Sequence, residues 1–276
     1  MNNDRRSAPY VSGAKRAIAS SLRAGHRLLA SRPLPSRLAI YFHELEPWQH
    51  PAFREALQFL TEAGYRFCDG LELAECRSAA RLVYVSFDDN FASWHRSIDL
   101  LDALGVRATF YVNTLPFRDI CPEEAIAEYF RRIDHRGERK TLTRAELLEI
   151  RAAGHRIGCH SHSHFVLSKL SRAQWGGEIQ ASKVALESIL GEEIVDFSFP
   201  YGMRRYFSEP LRAYCRSLGF VTVANGAPGL QHRRIIDPMR LERTRWNLDR
   251  PLAYNLTDLR IDGRVFEALT GRSAVS

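Results

Sequence analysis

The sequence predicts an α/β fold in which a mostly parallel, closed sheet is surrounded by helices. Short runs of β-branched and aromatic residues, too brief for helices, alternate along the chain with longer segments in which apolar residues recur at helical spacing. The chain has 276 residues, of which 45% are hydrophobic. It is therefore long enough to bury one large core without dividing into several domains.

The predicted elements follow one another as repeated β-α-β units. We expect strands at residues 38–43, 65–68, 82–87, 108–113, 156–160, 195–199, 220–224 and 239–244. We expect helices at residues 51–63, 91–104, 123–133, 143–153, 171–190 and 208–218. Gly105 should end the second helix, and Ser171 should cap the fifth. The connection at 114–140 is longer than the others, and its basic tract at 131–140 either overhangs the mouth of a site or is a solvated loop.

Two histidines and two carboxylates form the strongest functional signal. His160 and His164 lie four residues apart in GCHSHSH, and Asp88 and Asp89 follow the apolar run LVYVSF. Both groups come at the carboxyl ends of predicted strands, where α/β folds place their active sites. Two imidazoles and one carboxylate suit a catalytic divalent metal, and a second carboxylate nearby can act as a general base. Each pattern alone also fits a capped surface turn, but the combination predicts a metal site.

The segments SFDD, GCHSHSH and FSFPYG, in this order, resemble the leading motifs of the polysaccharide deacetylases, carbohydrate esterase family four. The resemblance covers about residues 38–245 and implies a distorted, incomplete (β/α) barrel of the polysaccharide deacetylase type. It implies that Asp88 is the catalytic base. By the same match, the metal ligands are Asp89, His160 and His164. His162, which stands between the two histidine ligands, has no assigned role.

Two departures from the family's pattern concern groups beside the metal. The third motif usually reads R-x-P-Y, with an Arg that tethers the catalytic Asp, but Ser198 occupies that position here. The tether is therefore absent unless an Arg from elsewhere, such as Arg243 or Arg245, replaces it. The late leucine-x-histidine motif, which supplies the general acid, is also missing. The segment LAIYFHELEP resembles the first strand of the poly-N-acetylglucosamine deacetylases, so His43 becomes the candidate acid; a structural histidine at a strand end is the alternative.

The resemblance implies metal-dependent hydrolysis of the N-acetyl group of an amino sugar in a polysaccharide, an oligosaccharide or a lipid-linked glycan. The backbone N–H of Tyr201 would hold the developing oxyanion. Zn²⁺ is the expected metal, while Co, Ni, Mn and Fe stay open. Three alternatives remain: a deformylase or other deacylase acting on a carrier-linked sugar, a catalytically weakened glycan-binding protein, and a non-haem Fe(II) oxygenase. The oxygenase shares the ligand set but leaves Asp88 unexplained.

The positive charge is concentrated in an N-terminal arm. Residues 1–37 carry eight basic residues and one acid, whereas the remaining 239 residues hold 31 basic and 31 acidic residues. We therefore expect a basic arm at 1–37 and a catalytic domain at 38–276, with no nucleic-acid footprint across the domain. The five cysteines are few and scattered, which suits a reducing compartment.

The arm has the pattern of a helix lying on an anionic membrane surface. In a helix at residues 11–30, Val11, Ile18, Leu22 and Leu29 would share one side and Arg16, Arg23 and Arg27 the other. No run of apolar residues is long enough to span a membrane. We therefore expect a cytoplasmic protein that is peripheral on the inner face of a membrane. A helix docked on the barrel or a disordered tail would fit the same residues.

Overall fold

Parallel strands form a nearly closed barrel in the computed structural model, which describes residues 32–229 and 235–262. The strands in this part of the chain are β1 (Arg37–Phe42), β2 (Arg66–Cys68), β3 (Leu82–Asp89), β4 (Thr109–Val112), β5 (Arg156–Cys159), β6 (Asp196–Ser198), β7 (Thr222–Asn225), β8 (Leu241–Glu242) and β9 (Thr244–Arg245). Their order is β8-β7-β6-β5-β4-β3-β1-β9, and β2 pairs with the start of β3. The predicted strands and the predicted barrel are confirmed.

The barrel closes at a single residue. β8 pairs with β7, and β9 pairs with β1 at the opposite edge of the sheet. Only Arg243 separates these two short strands, and its backbone N–H donates to the carbonyl of Asn225 at 3.1 Å. One continuous segment therefore bridges both edges of the sheet, which is why the predicted last strand is split in two.

Helices cover the outside of the barrel. Their bounds are α1 (His50–Glu62), α2 (Gly70–Glu75), α3 (Ile98–Ala103), α4 (Glu123–Arg132), α5 (Arg144–Ala152), α6 (Arg172–Trp175), α7 (Ala181–Leu190), α8 (Glu209–Ser217) and α9 (Leu252–Asp258). A π-helical segment at Gly176–Gln180 joins α6 to α7, so the predicted helix at 171–190 is interrupted. α2 and α9 have only six and seven residues, too few for an apolar period to indicate them.

The prediction of a helix from residue 91 is wrong at its start. A turn occupies residues 91–94, a 3₁₀ turn follows at His95–Ser97, and α3 begins only afterwards. Phe91 and Trp94 are nevertheless buried. The indole N–H of Trp94 donates to the carbonyl of His43 at 2.6 Å. Their helix-like spacing therefore reflects two side chains packed beneath a turn rather than one face of a helix.

The alternation of side chains along β3 explains why the acidic side chain of Asp88 points into the barrel. Val83, Val85 and Phe87 pack outward in the main core between sheet and helices. Leu82 and Tyr84 face inward and pack with residues of β1, β4, β7 and β8. Because side chains of a strand alternate between its two faces, Ser86 and Asp88 continue the inward row. The barrel interior is thus apolar at the amino end of β3 and polar at its carboxyl end.

The sequence-based proposals for the arm concern a different part of the chain. The predicted helix at 11–30 lies outside the described residues, as does most of the arm at 1–37. Within the described ranges, no helix combines the length and apolar composition needed to cross a membrane.

Candidate active site

The predicted site residues meet in one cavity at the carboxyl ends of the strands. The cavity has a volume of about 500 Å³. Its walls include all six candidates, which are His43, Asp88, Asp89, His160, His164 and Tyr201. They come from the ends of β1, β3, β5 and β6. The structure therefore brings together every residue that the motifs single out.

Asp89, His160 and His164 form a buried cluster. The Oδ1 atom of Asp89 lies 3.5 Å from Nε2 of His160 and 3.2 Å from Nε2 of His164. One ligand atom from each residue lies within 4.8 Å of the other two. Nδ1–H of His160 donates to the carbonyl of Ser198 at 2.8 Å, which leaves the Nε2 lone pair directed at the cluster. The donor types and their spacing fit a divalent metal ion.

The carboxylate of Asp89 is held ionised. Burial would raise its pKa, but the neighbouring histidines, His164 before the others, outweigh burial, and the pKa lies well below its usual value. An ionised carboxylate is the form that binds a cation. The protonation state thus agrees with the donor geometry.

Strained backbone is concentrated around this cavity. Among the described residues, five other than glycine have φ in the left-handed region, namely Asp89, Asp134, Ser161, His164 and Tyr201. Four of them line the cavity, and Ser161 lies in the turn between the two histidines. Each such residue costs about 1–3 kcal/mol and persists only where its surroundings hold it. Backbone strain therefore marks the same location as the motifs.

Arg243 supplies the tether that Ser198 cannot. Its guanidinium binds the carboxylate of Asp88 through two hydrogen bonds, Nη1 to Oδ1 and Nη2 to Oδ2, each 2.7 Å long. Nη2 also donates to the hydroxyl of Ser198 at 2.7 Å. Arg243 is completely buried. The small side chain at the motif position is thus compensated by an Arg from the closing segment of the barrel, while Arg245 lines the cavity instead.

The Arg243 clamp also sets the charge of Asp88. Burial would raise the pKa of Asp88, but the Arg243 charge, followed by that of His160, outweighs burial and leaves the pKa below its usual value. The guanidinium lies over the rings of Tyr41 and Tyr111, 4.7 Å and 5.1 Å from their centroids. Asp88 is therefore a carboxylate at neutral pH, as a general base must be.

Replacing Arg243 by Gln should move the acid limb of the pH–rate profile upward. A carboxylate base works only when deprotonated, so kcat/KM falls as the pH drops through its pKa. Without the guanidinium, burial dominates, and the limb should rise by about 1–3 pH units. The measurement is kcat/KM against pH, with Arg245→Gln as the matched control that leaves the Asp88 pair intact. An acid limb that stays in place in Arg243→Gln would contradict the tether.

His43 stands in the same cavity, beside the inward-facing Tyr41. The two rings lie edge to face, with centroids 5.5 Å apart. Burial lowers the pKa of His43, although the charges of Asp89 and Asp88 oppose that shift. The imidazole is therefore neutral near pH 7 in the free protein. Its location is compatible with the predicted acid role.

The basic tract at residues 131–140 forms part of the wall of the cavity. Residues 133–137 line the cavity, so part of the basic tract does overhang the site. His135 lies in this wall and packs on Phe91 at 4.9 Å between ring centroids. His162, in contrast, pairs its Nδ1 with the hydroxyl of Thr114 at 2.9 Å. The basic composition of the tract was the only signal for its position.

The comparisons with known proteins agree with this geometry. A family model described as "Polysaccharide deacetylase" matches residues 77–223. The fold is similar to the Streptococcus pyogenes deacetylase PplD in complex with acetate, with a TM-score of 0.62 at 18% identity over 83% of this chain and 100% of that one. It is also similar to IcaB from Ammonifex degensii, with a TM-score of 0.64 at 18% identity over 83% and 98% of the two chains.

A third structure of the same fold is the deacetylase domain of BpsB from Bordetella bronchiseptica. Its TM-score is 0.58 at 15% identity, over 78% of this chain and 97% of that domain. No protein with a curated description matches the sequence. The structural matches establish the fold, and the family model covers more than half of the chain. The protein belongs to the polysaccharide deacetylase family.

Proposed function

We propose that this protein removes the N-acetyl group from an amino sugar of a polysaccharide or oligosaccharide, with the help of a divalent metal. Membership in the polysaccharide deacetylase family supports the reaction class. The observation that carries the proposal is the buried Asp89–His160–His164 cluster beside a clamped, ionised Asp88 in one cavity. A metal site with a separate carboxylate base is the arrangement that amide hydrolysis by water requires.

The three clustered residues would hold the metal. When bound, a divalent ion supplies Lewis acidity, which polarises an amide carbonyl and makes water a nucleophile near neutral pH. Two imidazoles with one carboxylate favour Zn²⁺, and Co²⁺, Ni²⁺, Mn²⁺ or Fe²⁺ could occupy the same donors. Lipid-linked glycans belong to the same proposed substrate class, because they offer the same amide.

The remaining residues would move protons and hold charge. Asp88 takes a proton from the attacking water, and Arg243 holds its carboxylate in one orientation. Tyr201 donates its backbone N–H to the oxyanion; this N–H makes no hydrogen bond to the residues that the structure describes. His43 gives a proton to the departing amine. Since burial keeps His43 neutral near pH 7, it would take that proton from solvent before the amine departs, and Asp88 would return the water's proton to solvent after each turnover.

Replacing His43 by Ala should lower turnover by about 10²–10⁴, the usual contribution of a general acid. The metal cluster does not include His43, so metal affinity should stay as in the wild type. Turnover and metal content are measured on the same preparation. Unchanged turnover in His43→Ala would remove this residue from the mechanism and leave it as a structural histidine at the end of β1.

The Arg243 clamp bears on the alternatives. A catalytically weakened glycan-binding protein is favoured if the loss of the motif Arg and the late His is uncompensated, but here Arg243 pairs with Asp88 and His43 lies in the same cavity. The Fe(II) oxygenase alternative gives no function to this ion pair. Removal of a formyl or other acyl group stays open as a second candidate, because the same residues would hydrolyse any small amide on a sugar.

The test combines metal analysis with product analysis. Purified protein is assayed for bound metal and for acetate release from N-acetylglucosamine oligosaccharides, with and without a chelator. We expect bound Zn²⁺, chelator-sensitive acetate release, and recovery on adding Zn²⁺ back. Formate release from N-formylated sugars without acetate release would favour the second candidate. Metal binding without release of either acid would reject hydrolysis.

We further propose that the basic arm holds the protein on the cytoplasmic face of a membrane. The support is the sequence pattern of residues 11–30 alone, which places apolar and basic side chains on opposite sides of a helix. The full chain should co-sediment with anionic liposomes at low salt, and a shortened chain beginning at Arg37 should not. Equal binding by both chains, or by neither, would reject the location.

A further inference from the structure

The turn that carries the two histidines, residues 160–164, has a strained backbone. Ser161 and His164 have φ of 69° and 60°, a region that side-chain-bearing residues occupy only when neighbours hold them there. The hydroxyl of Ser161 accepts the N–H of His164 at 3.2 Å, which is the turn's own internal bond. The buried side chains of Asn113 and Glu178 hydrogen-bond to the backbone of this turn, and the part-buried Arg132 also donates from Nη1 to the carbonyl of Ser163 at 2.6 Å.

The first is Asn113, which directly follows β4. Its backbone N–H donates to the carbonyl of Asp89 at 3.1 Å, and its side-chain amide donates to the carbonyls of His160 and Ser161. Because carbonyls only accept, the atom facing them must be the amide nitrogen. The amide oxygen then accepts from the hydroxyl of Tyr129 at 2.9 Å. Asn113 thus links the backbone of Asp89 to the backbone of His160, two of the three clustered residues.

The second is Glu178, which lies in the π-helical segment between α6 and α7. Its carboxylate accepts the N–H of Ser163 at 2.9 Å, and its backbone carbonyl accepts the N–H of His162 at 2.8 Å. Glu178 is 7% exposed, a rare location for an acid whose partner is a neutral N–H. π-Helical turns often occur at functional sites. Here the turn brings both acceptors of one residue onto successive N–H groups of the histidine turn.

We propose that Asn113 and Glu178 are positioning residues that fix the distances from the two imidazoles to Asp89, and so set the metal affinity. Neither residue touches the cavity. Asn113 sets the separation of the Asp89 and His160 strand ends, and Glu178 prevents the strained turn from relaxing and carrying His164 away. This inference rests on the proposed function, because it assumes that a divalent metal binds the cluster.

The experiment measures Zn²⁺ affinity by competition with a chromophoric chelator, and the melting temperature of the metal-free protein, both on the full chain. Asn113→Leu and Glu178→Leu keep side-chain size and remove the side-chain hydrogen bonds to the turn, while the backbone hydrogen bonds of both residues remain. Each should weaken Zn²⁺ binding by about 10- to 100-fold, the usual effect of losing an outer partner of a ligand. Glu178→Gln keeps an oxygen acceptor for Ser163 and should restore near-wild-type affinity.

A matched control separates positioning from general loss of stability. Leu186 is completely buried in α7 and does not line the cavity. Leu186→Ala should therefore lower the melting temperature and leave Zn²⁺ affinity unchanged. Wild-type affinity in both Leu variants, or a loss of affinity in Leu186→Ala as large as that in Glu178→Leu, would overturn the proposal. If Asn113→Leu does not fold, the Glu178 pair decides. A wild-type protein that binds no Zn²⁺ would instead reject the proposed function.

Discussion

Replacing His164 by Ala is expected to abolish Zn²⁺ binding and, with it, acetate release down to the level of the chelator-treated wild type. Nε2 of His164 lies 3.2 Å from Oδ1 of Asp89 and is one of the three atoms of the cluster that could bind the metal. The two remaining side chains cannot complete the three-ligand set of a catalytic site. The loss of affinity should therefore exceed the roughly 100-fold that the removal of an outer partner causes. Metal content after dialysis and acetate release are the two measurements.

The matched control lies two residues away in the same motif. His162→Ala removes a histidine that pairs with Thr114 outside the cluster, so metal binding and turnover should persist. If His162→Ala lost the metal and His164→Ala kept it, the assignment of ligands taken from the motif would be wrong. The pair thus tests which imidazoles of the H-S-H-S-H sequence bind, and not only whether the motif matters.

The fold could be predicted because the residue types in each helix and strand reflect how that element is buried. Buried parallel strands consist of short β-branched runs, and each run in this chain corresponds to a strand. The carboxyl-end rule then brings residues from separate strands to one edge without any knowledge of contacts. That rule was enough to unite His43, Asp88 and His160, which are far apart in the sequence.

Partners that depend on barrel closure could not be predicted in the same way. The chain contains 39 Lys and Arg residues. The sequence offered Arg243 and Arg245 only as examples of a replacement tether, and no local pattern distinguishes which of them pairs with Asp88. Its pairing with Asp88 exists only because β8 and β9 join opposite edges of the sheet. Asn113 and Glu178 are similar cases, since their hydrogen bonds go to backbone groups that carry no sequence signal.

The same physics explains the clearest local error. Apolar residues at helical spacing predict a helix from residue 91, yet Phe91 and Trp94 lie on a turn beneath the site. Asn90 shows why: its side chain donates to the carbonyl of Asn113 and accepts the N–H of Leu142, which fixes the chain after β3 in a non-helical path. Long-range polar contacts of the strand end therefore override the local period.

Replacing Asp88 by Asn should lower turnover by about 10²–10⁴ while metal content stays at the wild-type level. The variant keeps the size of the side chain and one carbonyl oxygen for Arg243, but it cannot take a proton from water. It leaves the guanidinium, completely buried, without its counter-charge. The free energy of unfolding should therefore also fall, by up to about 3–5 kcal/mol, the usual cost of removing one partner of a buried ion pair. Turnover and bound Zn²⁺ are measured at a temperature below the melting transition, and the melting temperature is measured on the same preparation.

Asp134, another acidic residue that lines the cavity, serves as the control. Asp134 lines the same space but is largely exposed, 3.7 Å from Arg136, and its left-handed backbone tolerates Asn. Asp134→Asn should leave turnover unchanged, because no clamp fixes its carboxylate beside the metal cluster. Full turnover in a metal-loaded Asp88→Asn protein would reject Asp88 as the base. Equal losses in both variants would show that the cavity needs negative charge in general, whereas a loss confined to Asp88 ties catalysis to the one carboxylate that Arg243 holds.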